Sequence, residues 1–167
     1  MNHWTILKRL LFNKRAKPSI AKTAYISSRA EVCGAVFVGD NSRLGECQLS
    51  AEENNIITIG SDTTIRNRVL VKANVSIGNK IFISSGVFIE GTSAISDGTF
   101  IGRDTMIVNS TVGSNCLIED NVSIKNVAVP PNTIIPSKSV IHTKEKLEEI
   151  ILITSQVNYC EFNNLSL

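Results

Sequence analysis

Aromatic residues are scarce in this 167-residue chain: six Phe, two Tyr and one Trp, or 5% of the total. Histidine is scarcer still, with His3 and His142 alone. A zinc site of three histidines therefore cannot be assembled from the interior of the chain in any register. Four cysteines stand at 33, 47, 116 and 160, with no C-x-x-C pair and no Cys/His cluster. They read as reduced, small hydrophobes in a cytosolic-type compartment. No apolar run approaches the ~18 residues of a membrane span. The N-terminus lacks an uninterrupted apolar core and a small-residue cleavage site, so no secretory signal is expected.

Acidic residues are missing from one end. Residues 1–30 carry Lys8, Arg9, Lys14, Arg15, Lys17, Lys22 and Arg29 and no acid, so this leader is +7 and the rest of the chain −5. A mildly acidic body argues against nucleic acid as a partner. The 43% hydrophobic content indicates one globular domain with a sizeable core.

What the chain has in abundance is a period of six. Aliphatic residues occupy 20, 26, 32, 38 and 44, and then 59, 65, 71, 77, 83, 89, 95, 101 and 107. A five-residue step leads to 112, 118 and 124, and a second to 129, 135 and 141. All twenty positions are Ile, Val or Leu. Glycine follows the aliphatic residue at 39, 45, 60, 78, 102 and 113. Four residues after it the side chain is small or β-branched: Ser42, Thr63, Val69, Val75, Ile81, Val87, Thr99, Thr105, Cys116 and Val122. A helical period fits none of this. Short strands joined by corners do, with the aliphatic residue inward and the coils stacked about 4.8 Å apart. A narrow column of that kind has little room for rings. The expected fold class is all-β, a parallel β-helix over 20–141. It is flanked by a basic segment over 1–19 and by a C-terminal α-helix and tail over 142–167.

The period breaks once. Ser50 stands where an aliphatic residue is due, and the phase returns at Ile59. The stretch Ser50-Ala51-Glu52-Glu53-Asn54-Asn55 thus holds a three-residue excess, read as a corner loop. Such a loop suits a functional insertion or a tolerated surface one. Past 142, Leu147, Ile150, Ile151 and Val157 recur at helical spacing after Thr143, a good N-cap. Pro130-Pro131 fits a corner or a last, loosened coil, since proline cannot donate to a ladder. Residues 4–14, "WTILKRLLFNK", predict a short basic amphipathic helix. It suits a cap on the open end of the coils, an anchor on an anionic membrane surface or a partner, or part of an organellar leader. Localisation is accordingly read as cytoplasmic, with mitochondrial or peripheral membrane placement as the alternatives.

The hexads resemble the left-handed β-helix superfamily, which includes acyltransferases and γ-class carbonic anhydrases. Handedness, an eighteen-residue coil and a homotrimer are what the resemblance implies. The order of "LSAEENNIITIGSDTTIRNRVLVKA" (49–73), "SIGNKIFISSGVFIEG" (76–91) and "GTFIGRDTMIVNSTVGSNCLIEDNVSIKNVAVPPNTIIPSKSVI" (98–141) is similar to the γ-carbonic anhydrase branch, including the amino-terminal domain of the carboxysome scaffold protein. That branch binds zinc with three histidines at a subunit boundary. The resemblance puts them at Lys72, Ser85 and Glu90, with the family's loop Arg and Asp at Ser50 and Glu52 and its Gln-Asp pair at Arg66-Asn67. No zinc ligand set remains, and without zinc no hydroxide forms at neutral pH.

Glu90, a charge where the pattern accepts something small, lies eighteen residues from Lys72. The two are expected on one corner of adjacent coils, as an exposed ion pair or as the lining of the former metal cleft. Three functional readings follow. The first is a non-catalytic homotrimeric subunit related to γ-carbonic anhydrases, with no metal or cofactor, serving a larger protein assembly. The alternative is an acyltransferase using coenzyme A, with its base expected near the loop 50–56 or at Glu90. Those enzymes usually employ a coil or loop histidine as general base, and the Gly-x-Pro-Ala-Lys-like segment common near their ends is replaced here by "IPSKSV" (135–140). The third is an active zinc carbonic anhydrase.

Overall fold

The computed structural model describes residues 17–164, with side chains described except at 52, 53 and 155–164. The chain winds as a parallel β-solenoid of three faces, and the strands Tyr25–Ile26, Arg43–Leu44, Thr64–Ile65, Phe82–Ile83, Phe100–Ile101, Leu117–Ile118 and Ile134–Ile135 stack as a seven-stranded sheet, one strand per coil. This is face two. Face one precedes it in every coil and carries Val38, Ile59, Ile77, Ile95, Val112 and Val129 inward. Face three follows it and carries Leu49, Val71, Ile89, Ile107, Ile124 and Ile141 inward. Each of these is at most 4% exposed. The period of six is thus the spacing of faces, and its two five-residue steps leave every inward residue stacked on its counterpart, as in Ile95↔Val112 and Ile101↔Ile118.

Corners follow from the small residues between. Asn41, Asp62, Lys80, Gly98, Asn115 and Asn132 all have positive φ and form one corner column, between faces one and two. Asparagine and glycine tolerate this left-handed backbone best. The residue that follows each column position points inward, and Ser42, Thr63, Thr99, Cys116 and Thr133 fill that place. Their polar atoms reach carbonyl oxygens: Ser42 Oγ to Gly60 at 2.7 Å, Thr63 Oγ1 to Gly78 at 2.9 Å, Thr99 Oγ1 to Gly113 at 2.8 Å. Among the described residues no buried side-chain nitrogen or oxygen lacks a partner. Pro130-Pro131 lies at this corner, with the Pro130 carbonyl accepting from Thr133 Oγ1 at 2.8 Å.

The break near residue 50 is built differently from the expected corner loop. The chain takes a five-residue step from Leu44 to Leu49, and Leu49 is the buried one, at 0% exposed. Ser50 is a strand residue opposite Cys33 and Lys72. Strand Gln48–Ile59 then runs through the corner, and its register against Glu31–Val38 passes from Gly34↔Ala51 to Ala35↔Ile56. Residues 52–55 are the outward excess. A one-residue deficit and this four-residue bulge give the net three. Gly34, at φ 87°, faces the bulge, and a side chain there would collide with the Ala51 carbonyl.

The C-terminal helix spans Lys144–Asn164. Thr143 caps it, its Oγ1 accepting the Lys146 amide at 3.3 Å. Leu147 and Ile150 are buried against the last coil, near Ile134–Ile135 and Val140–Ile141, and Ile151 packs beside them. Val157 lies beyond the described side chains, and the leader 4–14 lies outside the described residues. No helix among the described residues is long and apolar enough to cross a membrane.

Cys47 and Cys116 are buried, whereas Cys33 is exposed. Burial pushes the Cys47 thiol from 9.0 to about 11, slightly offset by a backbone hydrogen bond, and burial likewise raises Cys116. As pH rises the unfolded chain loses the Cys47 proton first, so the folded state holds more protons between about 9 and 11 and stability falls through that window. In a Cys160→Ser background, a thiol reagent at pH 8 is expected to label Cys33 about a hundredfold faster than Cys47 or Cys116. Mass spectrometry of timed samples reads this directly. Equal rates in the folded protein would contradict the buried placement.

Candidate functional site

The residues singled out in the sequence fall into two groups. Ser50, Lys72 and Glu90 form part of one corner column, just past the inward residue of face three. Ser50 pairs with Lys72, and Glu90 follows Ile89, which pairs with Val71. Arg66, Asn67 and Ser85 belong to the opposite corner, between faces two and three. There the Gly86 amide donates to the Asn67 carbonyl at 3.2 Å, and Asn67 Oδ1 accepts the Glu46 amide at 3.1 Å. Face three separates the two groups within one chain. Glu52 stands in the bulge.

Lys72 and Glu90 share a corner as expected, but they form no ion pair. The ion pairs among the described residues are Arg29–Glu46, Lys144–Glu148 and Lys146–Glu149. Lys72 is exposed, and water competes effectively for such a charge. The half-buried Glu90 contributes its backbone instead, with its carbonyl accepting from Ser93 Oγ at 2.7 Å. Among the described residues no group of three His, Cys, Asp or Glu is placed to hold a metal ion.

Followed to its end, this column reaches one of the chain's two histidines. Glu90 pairs with Val108, Val108 pairs with Lys125, and Ile124 pairs with Ile141, so His142 stands above Lys125. The His142 ring turns onto face three, where Nε2 lies 3.0 Å from Ser123 Oγ. Ser123 is an outward strand residue paired with Val140. The imidazole is exposed, and the hydroxyl half-buried. Both ends of the pair are anchored: Ser123 within a strand, and His142 between the buried Ile141 and the capped helix start at Thr143. The Glu145 carboxyl, one turn on, is held below its ordinary range by its own backbone amide and the Thr143 hydroxyl.

A hydroxyl against a ring nitrogen is a chemically competent arrangement. A neutral imidazole accepts at one nitrogen and donates at the other. In the tautomer with its proton on Nδ1, Nε2 accepts from Ser123 Oγ and is the basic nitrogen at face three. Beside the pair, face three presents Met106 (37% exposed) and Val140 (54%), an apolar surface next to a base. Two shallow recesses lie elsewhere. One, of about 350 Å³, runs along face one between Ile56, Thr58, Asn74 and Thr92. The other, of about 280 Å³, lies around Arg29, Glu46 and Arg68.

No family model and no curated relative matches the chain. Solved structures do. A Bacillus cereus protein named as an acetyltransferase superposes with a TM-score of 0.69 at 19% identity, covering 86% of this chain and 88% of its own. A hexapeptide transferase family protein from Anaplasma phagocytophilum gives 0.68 at 17% identity, covering 91% and 94%. A UDP-N-acetylglucosamine acyltransferase from Bacteroides fragilis gives 0.68 at 17% identity, covering 78% of this chain and 64% of its own. These findings correct the expected function. The neighbours carry transferase names and show no closeness to the carbonic anhydrase branch, so the expected non-catalytic subunit of that type is not supported. The chain has the left-handed β-solenoid fold of the hexapeptide-repeat transferases.

Proposed function

We propose that the protein is an acyltransferase, moving an acyl group from coenzyme A to a hydroxyl or amine, with His142 as general base. The observation that carries this reading is the 3.0 Å contact between His142 Nε2 and Ser123 Oγ. It presents a basic nitrogen to face three. An acceptor takes the place of the serine proton at Nε2 and gives up its own. The acceptor atom then bonds to the thioester carbonyl carbon, the C–S bond breaks, and the imidazolium returns the proton to the departing thiolate. Ser123 is a positioning residue that holds the ring when no acceptor is bound. The transferase names of the structural neighbours support the reaction class. The test is release of free thiol from acetyl-coenzyme A over a panel of sugar and amine acceptors. Acceptor-dependent release supports the proposal. Absence of both turnover and coenzyme A binding by calorimetry would overturn it.

The same reading includes a homotrimer. Phe82 and Phe100 stack outward on face two, ring centroids 5.4 Å apart, in line with Leu117 and Ile134, all between 36% and 39% exposed. A contiguous apolar stripe of this kind is suited to burial between copies. Light scattering is expected to give three times the 18.2 kDa chain mass, and a Phe100→Glu variant a lower one. A wild-type mass of one chain would refute the trimer.

A further inference from the structure

The two ends of the core column are unlike. At the C-terminal end Ile135 and Ile141 are 0% exposed, and the helix lays Leu147 and Ile150 over them. At the N-terminal end the first coil leaves Ile20 42% exposed, with Ile26 and Val32 half-buried and Ala24 and Ala30 beside them. One coil further in, Val38, Leu44 and Leu49 are buried. The rim is polar in a definite way. The carbonyls of Val38, Ser42, Leu44 and Cys47 accept amides of the first coil, from Ala21, Tyr25, Ser27 and Glu31, each at 2.9 Å. Their counterparts in the first coil, the carbonyls of Ile20, Ala24, Ile26 and Ala30, face the end. That end is an apolar disc ringed by hydrogen-bond acceptors.

We propose that residues 4–14 of this chain cover it. They lead directly to the first strand, Ser19–Ile20. They supply apolar Trp4, Ile6, Leu7, Leu10, Leu11 and Phe12 for the disc and cationic donors Lys8, Arg9 and Lys14 for the carbonyl rim. An uncovered end would present strand edges for pairing with other chains, and terminal repeats of solenoids need a capping element. This inference is independent of the proposed reaction. It chooses an intramolecular role for the leader over a membrane anchor.

Trp4 is the only tryptophan in the chain, so its fluorescence reports on the leader alone. In the full chain, without vesicles, the emission is expected to be blue-shifted and shielded from iodide, at high salt and on dilution alike. An Ile20→Asp variant, which places a charge in the disc, should shift the emission to the red and raise iodide quenching several-fold, with the β-sheet circular dichroism retained. A second variant, Leu10→Asp, leaves the coils untouched. It should give the same red shift and faster hydrogen exchange at the Tyr25 and Ser27 amides. Red emission in the wild type would overturn the proposal. So would a blue shift that both variants preserve, one that disappears on dilution, or one that requires phosphatidylserine vesicles.

Discussion

A His142→Asn substitution is expected to lower kcat/KM for acyl transfer by about 10²–10⁴-fold, the usual contribution of a positioned general base. Asparagine keeps polarity and approximate size, but its amide nitrogen cannot take a proton from an incoming hydroxyl or amine. The fold should be unaffected, because the His142 side chain is exposed and the helix is capped by Thr143, not by the imidazole. Ser123→Ala should be milder, roughly tenfold, since it frees the ring to rotate without removing the base. It should act mainly through KM, with little change in kcat, because a bound acceptor holds the ring in place of the serine. The check is steady-state thiol release by wild type and both variants at matched structural content. An unchanged rate for His142→Asn would remove this residue from the chemistry.

The largest effect on stability is expected from the middle of the isoleucine ladder. Ile101 is fully buried between Ile83 of the coil before and Ile118 of the coil after. Ile101→Ala removes three carbons from a column whose neighbours are fixed by backbone ladders on both sides, so the cavity cannot collapse. A loss of about 2–5 kcal/mol follows, against a typical total of about 5–15 kcal/mol. Val140→Thr, at a position 54% exposed, should cost about 0.5 kcal/mol or less. Guanidinium titrations at one fixed protein concentration compare the two. Similar midpoints would mean that the ladder does not carry the stability assigned to it.

Much of the architecture was legible because one physical constraint repeats. Inward isoleucines at 83, 101, 118 and 135 announce the stack without any local propensity argument. The break at 50 was misplaced for a specific reason: a strict count of six passes over Leu49 and lands on Ser50. Only burial reveals that the short step precedes the bulge. The charge at Glu90 was placed on the right corner, but its partner was inferred from spacing alone, and spacing says nothing about how two solvated side chains point. His142 carries no catalytic assignment from the sequence, because it stands one residue past Ile141, the last inward position of the repeats. Counting coils instead would have recovered it. It lies seventeen residues past Lys125, one coil of the shortened length, and so continues the column of Ser50, Lys72 and Glu90. What spacing could not supply is the turn of the ring toward Ser123.

The stacking of like upon like also governs how such a molecule changes size. Each coil touches only those before and after it, and each begins and ends at the same azimuth. A whole coil could therefore be duplicated or lost from the middle without altering any corner. His142 belongs to the last coil and the exposed Ile20 to the first. Duplication would move the histidine about 4.8 Å further from the opposite end for each coil gained, while Ser123, one coil below, kept its place beside the ring. Length is thus free to vary while the immediate surroundings of the imidazole stay constant.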